Sequence, residues 1–283
     1  MTMAVMGAPH RKGLFPKWRN RGIGTGAPAF LLILALFALP VFGFLFVGVQ
    51  EGIGPLQRAL TDGLYAKVLG DTLLLGVYVT LISFVLGYPL AYVLTIMPPR
   101  WAVIGFGFLL LPFWTSLLVR TYAWMVLLGR NGIINQALMG LGLIDTPLQL
   151  LNNLGGVLIG MVHVLLPYMV FPLYDVMRRI NPALLQAADG LGASRFQAFY
   201  RIYFPLTLPG VLAGCILVFV LSIGFYITPA LLGGGRVATM ALMIERQVRE
   251  FLDWEFAAAL SLVLLATTLL VSLGLNRLLR SRL

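Results

Sequence analysis

The stretch that decides the fold of this chain is residues 180–211, INPALLQAADGLGASRFQAFYRIYFPLTLPGV, a partly polar segment between two long apolar runs. Asn181 is a favourable helix N-cap, and Pro182 suits the first helical position. Gly192 has the position of a glycine that ends a helix, and Ser194 can begin a second one. The stretch therefore predicts a short helix, a tight turn and a second helix that ends in prolines.

The first of these helices is amphipathic, because its apolar residues recur with helical spacing. The apolar face holds Leu184, Leu185, Ala188 and Leu191, and the other face holds Gln186, Asp189 and Gly190. A short helix with an apolar stripe suits a groove on another protein. The alternative is a helix lying on the bilayer surface, which normally carries Lys or Arg on its polar face. This helix has neither, so we expect a protein partner.

The composition is that of a membrane protein. Of the 283 residues, 60% are hydrophobic and 11% are charged, and the mean hydropathy is +0.94. A soluble domain has about a quarter of its residues charged. The sequence therefore predicts an all-α, polytopic membrane protein in contact with the lipid bilayer. The net charge of +10 does not indicate nucleic acid, because membrane proteins concentrate basic residues in cytoplasmic loops.

Six apolar segments are long enough to cross a hydrocarbon core that requires about 20 helical residues. They are 28–49, 71–97, 101–128, 155–177, 209–232 and 255–276. We expect a basic N-terminal tail at 1–27 and a six-helix domain at 28–283. The third segment is over-long: as one helix bent by Pro112, it would place Arg120 about 28 Å from Trp101, at the far interface.

The basic residues predict the orientation. If the N-terminus is cytoplasmic, 13 of the 20 Lys and Arg residues lie inside, whereas 8 of the 10 acids lie outside. The inside set is Arg11, Lys12, Lys17, Arg19, Arg21, Arg100, Arg178, Arg179, Arg195, Arg201, Arg277, Arg280 and Arg282. By the positive-inside rule both termini are cytoplasmic, and so is the segment 180–208.

Two loops on the outer side are predicted to contain helices. Residues 131–144 suggest a short helix after an Asn-Gly turn. Residues 239–252 suggest a helix with charged residues on one side and an apolar stripe on the opposite side, formed by Met240, Ile244, Val248 and Phe251. Both helices suit a position along the membrane, as gates or as packing over the span ends. Asp253 can cap the sixth span.

The stretch 180–211 resembles a motif of a known family. The pattern Q-A-A-x-x-x-G, followed after nine residues by I-x-F-P, looks like the EAA loop of ABC-importer permeases. It comprises Gln186, Ala187, Ala188, Gly192, Ile202 and Pro205. Gln186 replaces the usual Glu, and Phe204 the usual Leu. Over about 70–275 the chain resembles spermidine/putrescine permeases of the first-subunit type, through LGYPLAYVL (86–94), LPFWTSLLVRTYAW (111–124), IDTP (144–147) and HVLLPYMVFPLY (163–174).

The resemblance implies a bacterial inner-membrane permease with the six-helix, MetI-like fold of type I ABC importers. It makes residues 180–208 a coupling loop that is seated on a separate ATPase dimer, which binds the ATP and Mg²⁺. The residues it assigns to that contact are Gln186, Ala187, Ala188, Asp189, Gly192, Ala193 and Arg195. It further implies a second, homologous permease subunit and a periplasmic solute-binding protein.

Aromatic residues and one cation are the candidates for the solute route. Tyr88, Trp114, Tyr122 and Tyr226 can offer ring faces to an ammonium group, although Trp and Tyr near span ends are also interface anchors. Arg120 can pair with an outer acid, Glu245 or Asp253, or extend to the interface. No acid is predicted in the middle of a span. We therefore expect the binding protein to select the solute, a polyamine or else an opine or an amino-acid-like compound.

The sequence offers no chemistry of its own. The lysines, Lys12, Lys17 and Lys67, are outside any phosphate-binding Gly-Lys-Ser/Thr motif. We find no catalytic constellation and no metal-ligand cluster, and His163 is expected to be packed or hydrogen-bonded. Two other classes of membrane protein have requirements of their own. A lipid-modifying enzyme needs a polar cluster at one interface, and an ion-driven carrier needs intramembrane ionisable groups and inverted repeats.

Overall fold

The computed structural model describes residues 22–50 and 53–280, and every regular element in these two ranges is helical. Residues 1–21, most of the predicted basic tail, lie outside the described residues. The chain divides into two compact units, one ending at Phe46 and one beginning at Val47. Helix α1, Gly22–Gln50, contains the predicted first span and begins six residues before it. Its Phe30–Gly48 segment has a mean hydropathy of 2.8.

The second unit consists of helices joined by short turns. They are α2 (Gly54–Thr61), α3 (Gly63–Ile96), α4 (Pro99–Leu110), a 3₁₀ turn (Leu111–Trp114), α5 (Leu117–Leu128), α6 (Ile133–Gly140), α7 (Leu154–Arg178), α8 (Ala183–Gly190), α9 (Arg195–Ala198), a π turn (Phe199–Tyr203), α10 (Phe204–Ile223), α11 (Ile227–Leu232), α12 (Met240–Arg246), a second π turn (Gln247–Phe251) and α13 (Trp254–Arg280).

Five of the described helices are long and apolar enough to cross a bilayer, and a sixth crossing is reached when the bent pair Pro99–Trp114 and Leu117–Gly140 is counted as one. The predicted second, fourth and sixth spans are confirmed as α3, α7 and α13, with α3 beginning eight residues before the predicted start. The predicted fifth span, 209–232, is wrong at both ends. The helix runs from Arg195 to Ile223, and α11 is separate from it.

Helices α3, α7 and α10 pack against one another and form the centre of the second unit. Their fully buried side chains include Val79 and Ala91 of α3, Met161, Met169, Val170 and Leu173 of α7, and Val218 of α10. Glycines allow the backbones to approach closely. A Cβ atom at Gly210 would lie 2.9 Å from the Pro172 carbonyl oxygen, and one at Gly214 would lie 2.8 Å from the Met169 sulfur.

The third span differs from the prediction of one over-long helix. It breaks at Thr115–Ser116, and the two halves meet at 100°. Pro112 lies in the tight 3₁₀ turn just before the break, where its missing N–H and fixed φ are tolerated. Thr115 and Ser116 are extended, so Ser116 starts a new helix. We call Pro99–Trp114 and Leu117–Leu128 together the broken span.

Ring contacts place each part of the broken span along α7. The ring centroids of Phe106 and Tyr174 are 4.6 Å apart, those of Phe113 and Tyr168 are 5.3 Å apart, and those of Trp124 and His163 are 5.6 Å apart. As the broken span advances, its partners move steadily towards the start of α7. The broken span therefore follows α7 along its length instead of turning back.

The two predicted outer-loop helices are confirmed as α6 and α12. The fully buried Asn135 of α6 holds its loop closed, since its amide donates to the Leu148 carbonyl and its Oδ1 accepts from the Leu148 N–H. The predicted stripe of 239–252 is only partly correct, because Met240 is buried but Phe251 is exposed beside a left-handed Leu252. Asp253 caps α13 as predicted, by accepting from the Phe256 N–H at 2.9 Å.

Because α10 lies so close to α7, we expect replacement of a glycine by alanine to destabilise the protein at this contact and not at an open position. Gly210→Ala places a methyl group against backbone atoms that cannot rotate away, so we expect about 1–3 kcal/mol of destabilisation. The matched variant Gly70→Ala, in α3, meets no atom within 4 Å, and we expect it to be neutral or stabilising. Thermal melting of the purified proteins in one detergent checks this, and equal melting temperatures for the two variants would contradict it.

Candidate functional site

The coupling loop begins with the predicted short helix. Asn181 Oδ1 accepts from the N–H of Ala183, the first residue of α8, at 3.0 Å, although the N-cap itself is Pro182, one residue later than predicted. At the other end Gly192 adopts φ +82°, and the Ala193 N–H donates to the Ala188 carbonyl oxygen at 3.0 Å. This is the bonding of a glycine-terminated helix. The helix and its glycine stop are therefore confirmed.

The predicted apolar face of α8 is divided. Leu185 and Ala188 face the rest of the loop, and Ala188 is only 5% exposed. By contrast, Leu184 is 47% exposed and Leu191 is 89% exposed. The apolar stripe is therefore buried along one edge and exposed along the other, and Leu191 follows directly after the last residue of the helix. Two leucines thus remain on the outer surface of the loop.

The second half of the coupling loop runs into the membrane helix without a break. Ser194 and Gln197 form a reciprocal capping box at the start of α9. The prediction that prolines end this second helix is wrong, because Pro205 and Pro209 both lie within the helix that reaches Ile223. A proline ring clashes with the carbonyl four residues earlier, and the π turn that precedes Pro205 widens the helix at that place.

Aromatic rings join the coupling loop to α3. Tyr88 contacts Phe199 and Phe204, with ring centroids 6.2 and 5.8 Å apart. Tyr92 meets the π-turn residue Tyr203 edge to face at 5.5 Å. These contacts tie the π turn to the last two turns of α3.

A hydrogen bond reinforces this junction. The Tyr88 hydroxyl and Thr207 Oγ1 are 3.1 Å apart, and Thr207 donates its own hydroxyl hydrogen to the Phe204 carbonyl oxygen at 2.7 Å. Since a threonine hydroxyl carries one hydrogen, Tyr88 is the donor in the bond between the two side chains. Tyr88 was predicted to belong to the solute route, and the structure places it in contact with the coupling loop.

The predicted coupling residues come together around a cavity of about 340 Å³. Gln186, Asp189, Ala193 and Arg195 line it together with Tyr92 of α3. Of the remaining three, Ala188 is buried, whereas Ala187 and Gly192 are exposed. The seven residues therefore form one continuous surface and its immediate support.

The other residues predicted for the solute route lie on or near the broken span. Trp114 is 81% exposed and Tyr122 is 54% exposed, on either side of the 100° bend. Tyr226 is 40% exposed and follows α10. Exposed rings of this kind fit both a solute route and a subunit contact, so their role stays a prediction.

Arg120 does not lie at the interface. It falls between Phe113, beside Tyr168, and Trp124, beside His163, and is therefore level with the middle of α7. The predicted interface position assumed one unbroken helix from Trp101 to Arg120. Because the span is bent at Thr115–Ser116, Arg120 lies a shorter distance across the membrane than that helix would give. In the part of the chain that the structure describes, Arg120 has no ion pair, and its buried Nε has no hydrogen-bond partner.

The acids suggested as partners of Arg120 are engaged elsewhere. Glu245 pairs with Arg249 at 3.2 Å, and Asp253 caps α13. The suggested pairing with either acid is therefore wrong within this chain.

A polar pair that the sequence did not predict lies next to Arg120. Trp124 Nε1 donates to His163 Nδ1 at 3.3 Å, which confirms the expectation of a packed or hydrogen-bonded histidine. Both residues line an otherwise apolar cavity of about 290 Å³ between α3, α5 and α7. The four-residue spacing of Arg120 and Trp124 puts both on one face of α5. Across residues 22–50 and 53–280, His, Cys, Asp and Glu side chains form no metal-ligand group.

Comparison with known proteins identifies this architecture. The family described as "Binding-protein-dependent transport system inner membrane component" matches residues 23–283. The spermidine/putrescine transport system permease protein PotB of Haemophilus influenzae is 36% identical over 226 residues, which cover 79% of each chain. PotB of Escherichia coli is 40% identical over 205 residues, which cover 72% of this chain and 74% of that one. The inner membrane ABC transporter permease protein YdcU of Escherichia coli is 30% identical over 267 residues.

Solved structures share the fold at low sequence identity. A bacterial ABC transporter that imports the acidic polysaccharide alginate superposes with a TM-score of 0.69 at 18% identity, over 92% of this chain and 97% of that chain. The same kind of transporter in complex with an alginate pentasaccharide-bound periplasmic protein gives a TM-score of 0.68.

The family match covers the described helices almost completely, and the helix α8 with its glycine stop lies where the EAA pattern requires it. The alternatives of a lipid-modifying enzyme and an ion-driven carrier therefore fall away. This chain belongs to the family of binding-protein-dependent transport system inner membrane components and is a permease subunit of an ABC importer.

Proposed function

We propose that this chain carries a polyamine, putrescine or spermidine, inward across the bacterial inner membrane as one of two non-identical permease subunits. The observation that carries the proposal is the sequence identity of 36–40% to spermidine/putrescine permeases over most of the chain. An ATPase dimer drives the cycle from the cytoplasm, and a periplasmic binding protein delivers the solute.

The orientation in this proposal follows from the charges at one end of the bundle. The described basic residues at the α8 end are Arg100, Arg178, Arg179, Arg195, Arg201 and Arg277. By the positive-inside rule this end faces the cytoplasm, and so do the termini. The coupling loop is then on the side where ATP is available.

The coupling loop has the shape of a contact for the ATPase. Helix α8 is short and held at both ends, by the hydrogen bond from the Ala183 N–H to Asn181 and by Gly192. Its outward side chains include Leu184 and Leu191, which suit an apolar groove on a partner. Gln186 carries no charge, so an ionic contact with the ATPase would come from Asp189 or Arg195.

Movement of α8 has a direct path into the membrane. The helix Arg195–Ile223 is continuous, so its membrane part moves with its cytoplasmic part. The bond from Tyr88 to Thr207 couples α3 to the same helix. Closure of the ATPase dimer would therefore move α10 and α3 together with α7, against which both are packed.

The solute itself is tested by binding-protein-dependent ATPase activity. The complete importer in nanodiscs, with its own binding protein, should hydrolyse ATP faster when putrescine or spermidine is present. An opine and an amino acid serve as the competing solutes. If either of those two stimulates hydrolysis and neither polyamine does, the polyamine assignment is wrong while the permease assignment stands.

Gly192 supplies a prediction for coupling. At φ +82° an L-residue is strained, whereas a side chain there meets no atom within 4 Å. We expect Gly192→Asp to insert normally and to lose nearly all solute-stimulated ATP hydrolysis, because the direction of α8 changes. Gly190→Ala is the matched control, since Gly190 is equally open and lacks a positive φ. Coupled hydrolysis at the wild-type level in Gly192→Asp would contradict the role of α8.

The junction between α3 and the coupling loop supplies a second prediction. Thr207→Val removes the acceptor of the Tyr88 hydroxyl with little change in volume. We expect uptake per ATP hydrolysed to fall several-fold while the basal ATPase rate stays near that of the wild type. Thr80→Val is the control, because the Thr80 hydroxyl bonds only within its own helix, to the Gly76 carbonyl. Solute uptake and ATP hydrolysis are both measured in proteoliposomes. An unchanged ratio of uptake to ATP hydrolysed would mean that the bond plays no part in coupling.

A further inference from the structure

Arg120 is a permanent charge half-way along the bundle that the chain itself does not neutralise. Its position is fixed by the ring pairs on either side of it, Phe113 with Tyr168 and Trp124 with His163. Its Nε is buried without an acceptor, and no carboxylate within residues 22–50 and 53–280 forms an ion pair with it. Arginine does not lose its proton in proteins, so the charge remains.

The residues next to Arg120 are exposed on the surface of the chain. Its neighbour Val119 is 62% exposed, and Tyr122 is 54% exposed. Arg120 borders this exposed face, because Ser116 and Ala123, four residues before it and three residues after it, are both exposed and Arg120 itself is only partly buried. An exposed apolar face with one cation at mid-depth is complementary to an apolar helix that carries one anion.

Three sources of negative charge are conceivable at this place, and two are disfavoured. Lipid phosphates lie at the bilayer surface, whereas Arg120 is level with the middle of the 25-residue helix α7. The solute is excluded if it is a polyamine, because a polycation is repelled by a guanidinium. Membrane-embedded charges are costly and normally pair with one another inside a bundle.

We propose that Arg120 forms an ion pair with an aspartate or glutamate in a transmembrane helix of the second permease subunit, which packs on this face of the broken span. The inference rests on the proposed function, since it requires a two-permease importer and a cationic solute. The pair holds the two subunits in register at mid-depth. It also removes a positive charge from the boundary along which a cation passes.

The test uses the complete importer, with an affinity tag on this chain. The amount of second permease that co-purifies in mild detergent is measured for Arg120→Gln, Arg120→Lys and the wild type. Breaking a buried ion pair leaves an uncompensated charge on the partner, so we expect Arg120→Gln to lower recovery by about tenfold or more. Arg120→Lys keeps the charge and should retain part of the recovery. Arg130→Gln, in the loop after α5, is the matched control.

The second arm locates the partner residue. Each Asp and Glu in the spans of the second permease is replaced by Asn or Gln. One replacement should reproduce the loss, and combining it with Arg120→Gln should cost no more than either change alone. Normal recovery with Arg120→Gln overturns the ion pair, and so does the absence of any acid in those spans. In the first case a raised KM for the solute would assign Arg120 to the solute route, and an unchanged KM would assign it to lipid.

The amount of tagged chain in the membrane shows whether each variant folds. If the wild-type chain recovers no second permease, or if the importer carries no polyamine, the proposed function fails. If the wild type assembles and transports, and Arg120→Gln assembles equally well, only the ion pair fails.

Discussion

The structure depends on the close approach of two helices to α7. Gly210 and Gly214 bring α10 against the backbone and side chains of α7 around Met169 and Pro172. Gly87 allows α3 to reach the same methionine, since a Cβ there would lie 2.9 Å from its Cγ. In a bilayer, burying an apolar side chain from lipid brings little gain, so dense packing and small residues supply most of the attraction between helices. The positions of these glycines therefore determine which helices pack at the centre of the bundle.

This packing also explains why the coupling loop is positioned so firmly. The residues that follow it enter α10, and α10 is fixed against α7 within two turns of the π turn. The rings of Tyr88, Phe199 and Phe204 fill the space between α3 and this junction. A force applied to α8 therefore meets a packed core at once, without an intervening flexible linker.

The sequence was a good guide wherever one local rule decided the structure. The Gly192 stop and the Asp253 cap are both present, and the start of α8 is displaced by one residue, because each depends on the chemistry of a few adjacent residues. The middle and limits of longer segments were less predictable. Hydropathy alone does not distinguish a continuous span from one broken at Thr115–Ser116, and prolines suggested a helix end where a π turn accommodates them. The bond between Trp124 and His163 depends on tertiary packing, and so no local pattern revealed it.

The uninterrupted helix from Arg195 to Ile223 has a mechanical consequence. Its 29 residues correspond to a rod of roughly 43 Å at 1.5 Å per residue. The rod is packed against α7 at Gly210, near its middle, so a tilt of about ten degrees there displaces its two ends by roughly 4 Å in opposite directions. A displacement of the coupling loop on one side of the membrane thus becomes an opposite displacement of similar size at the far end of the rod.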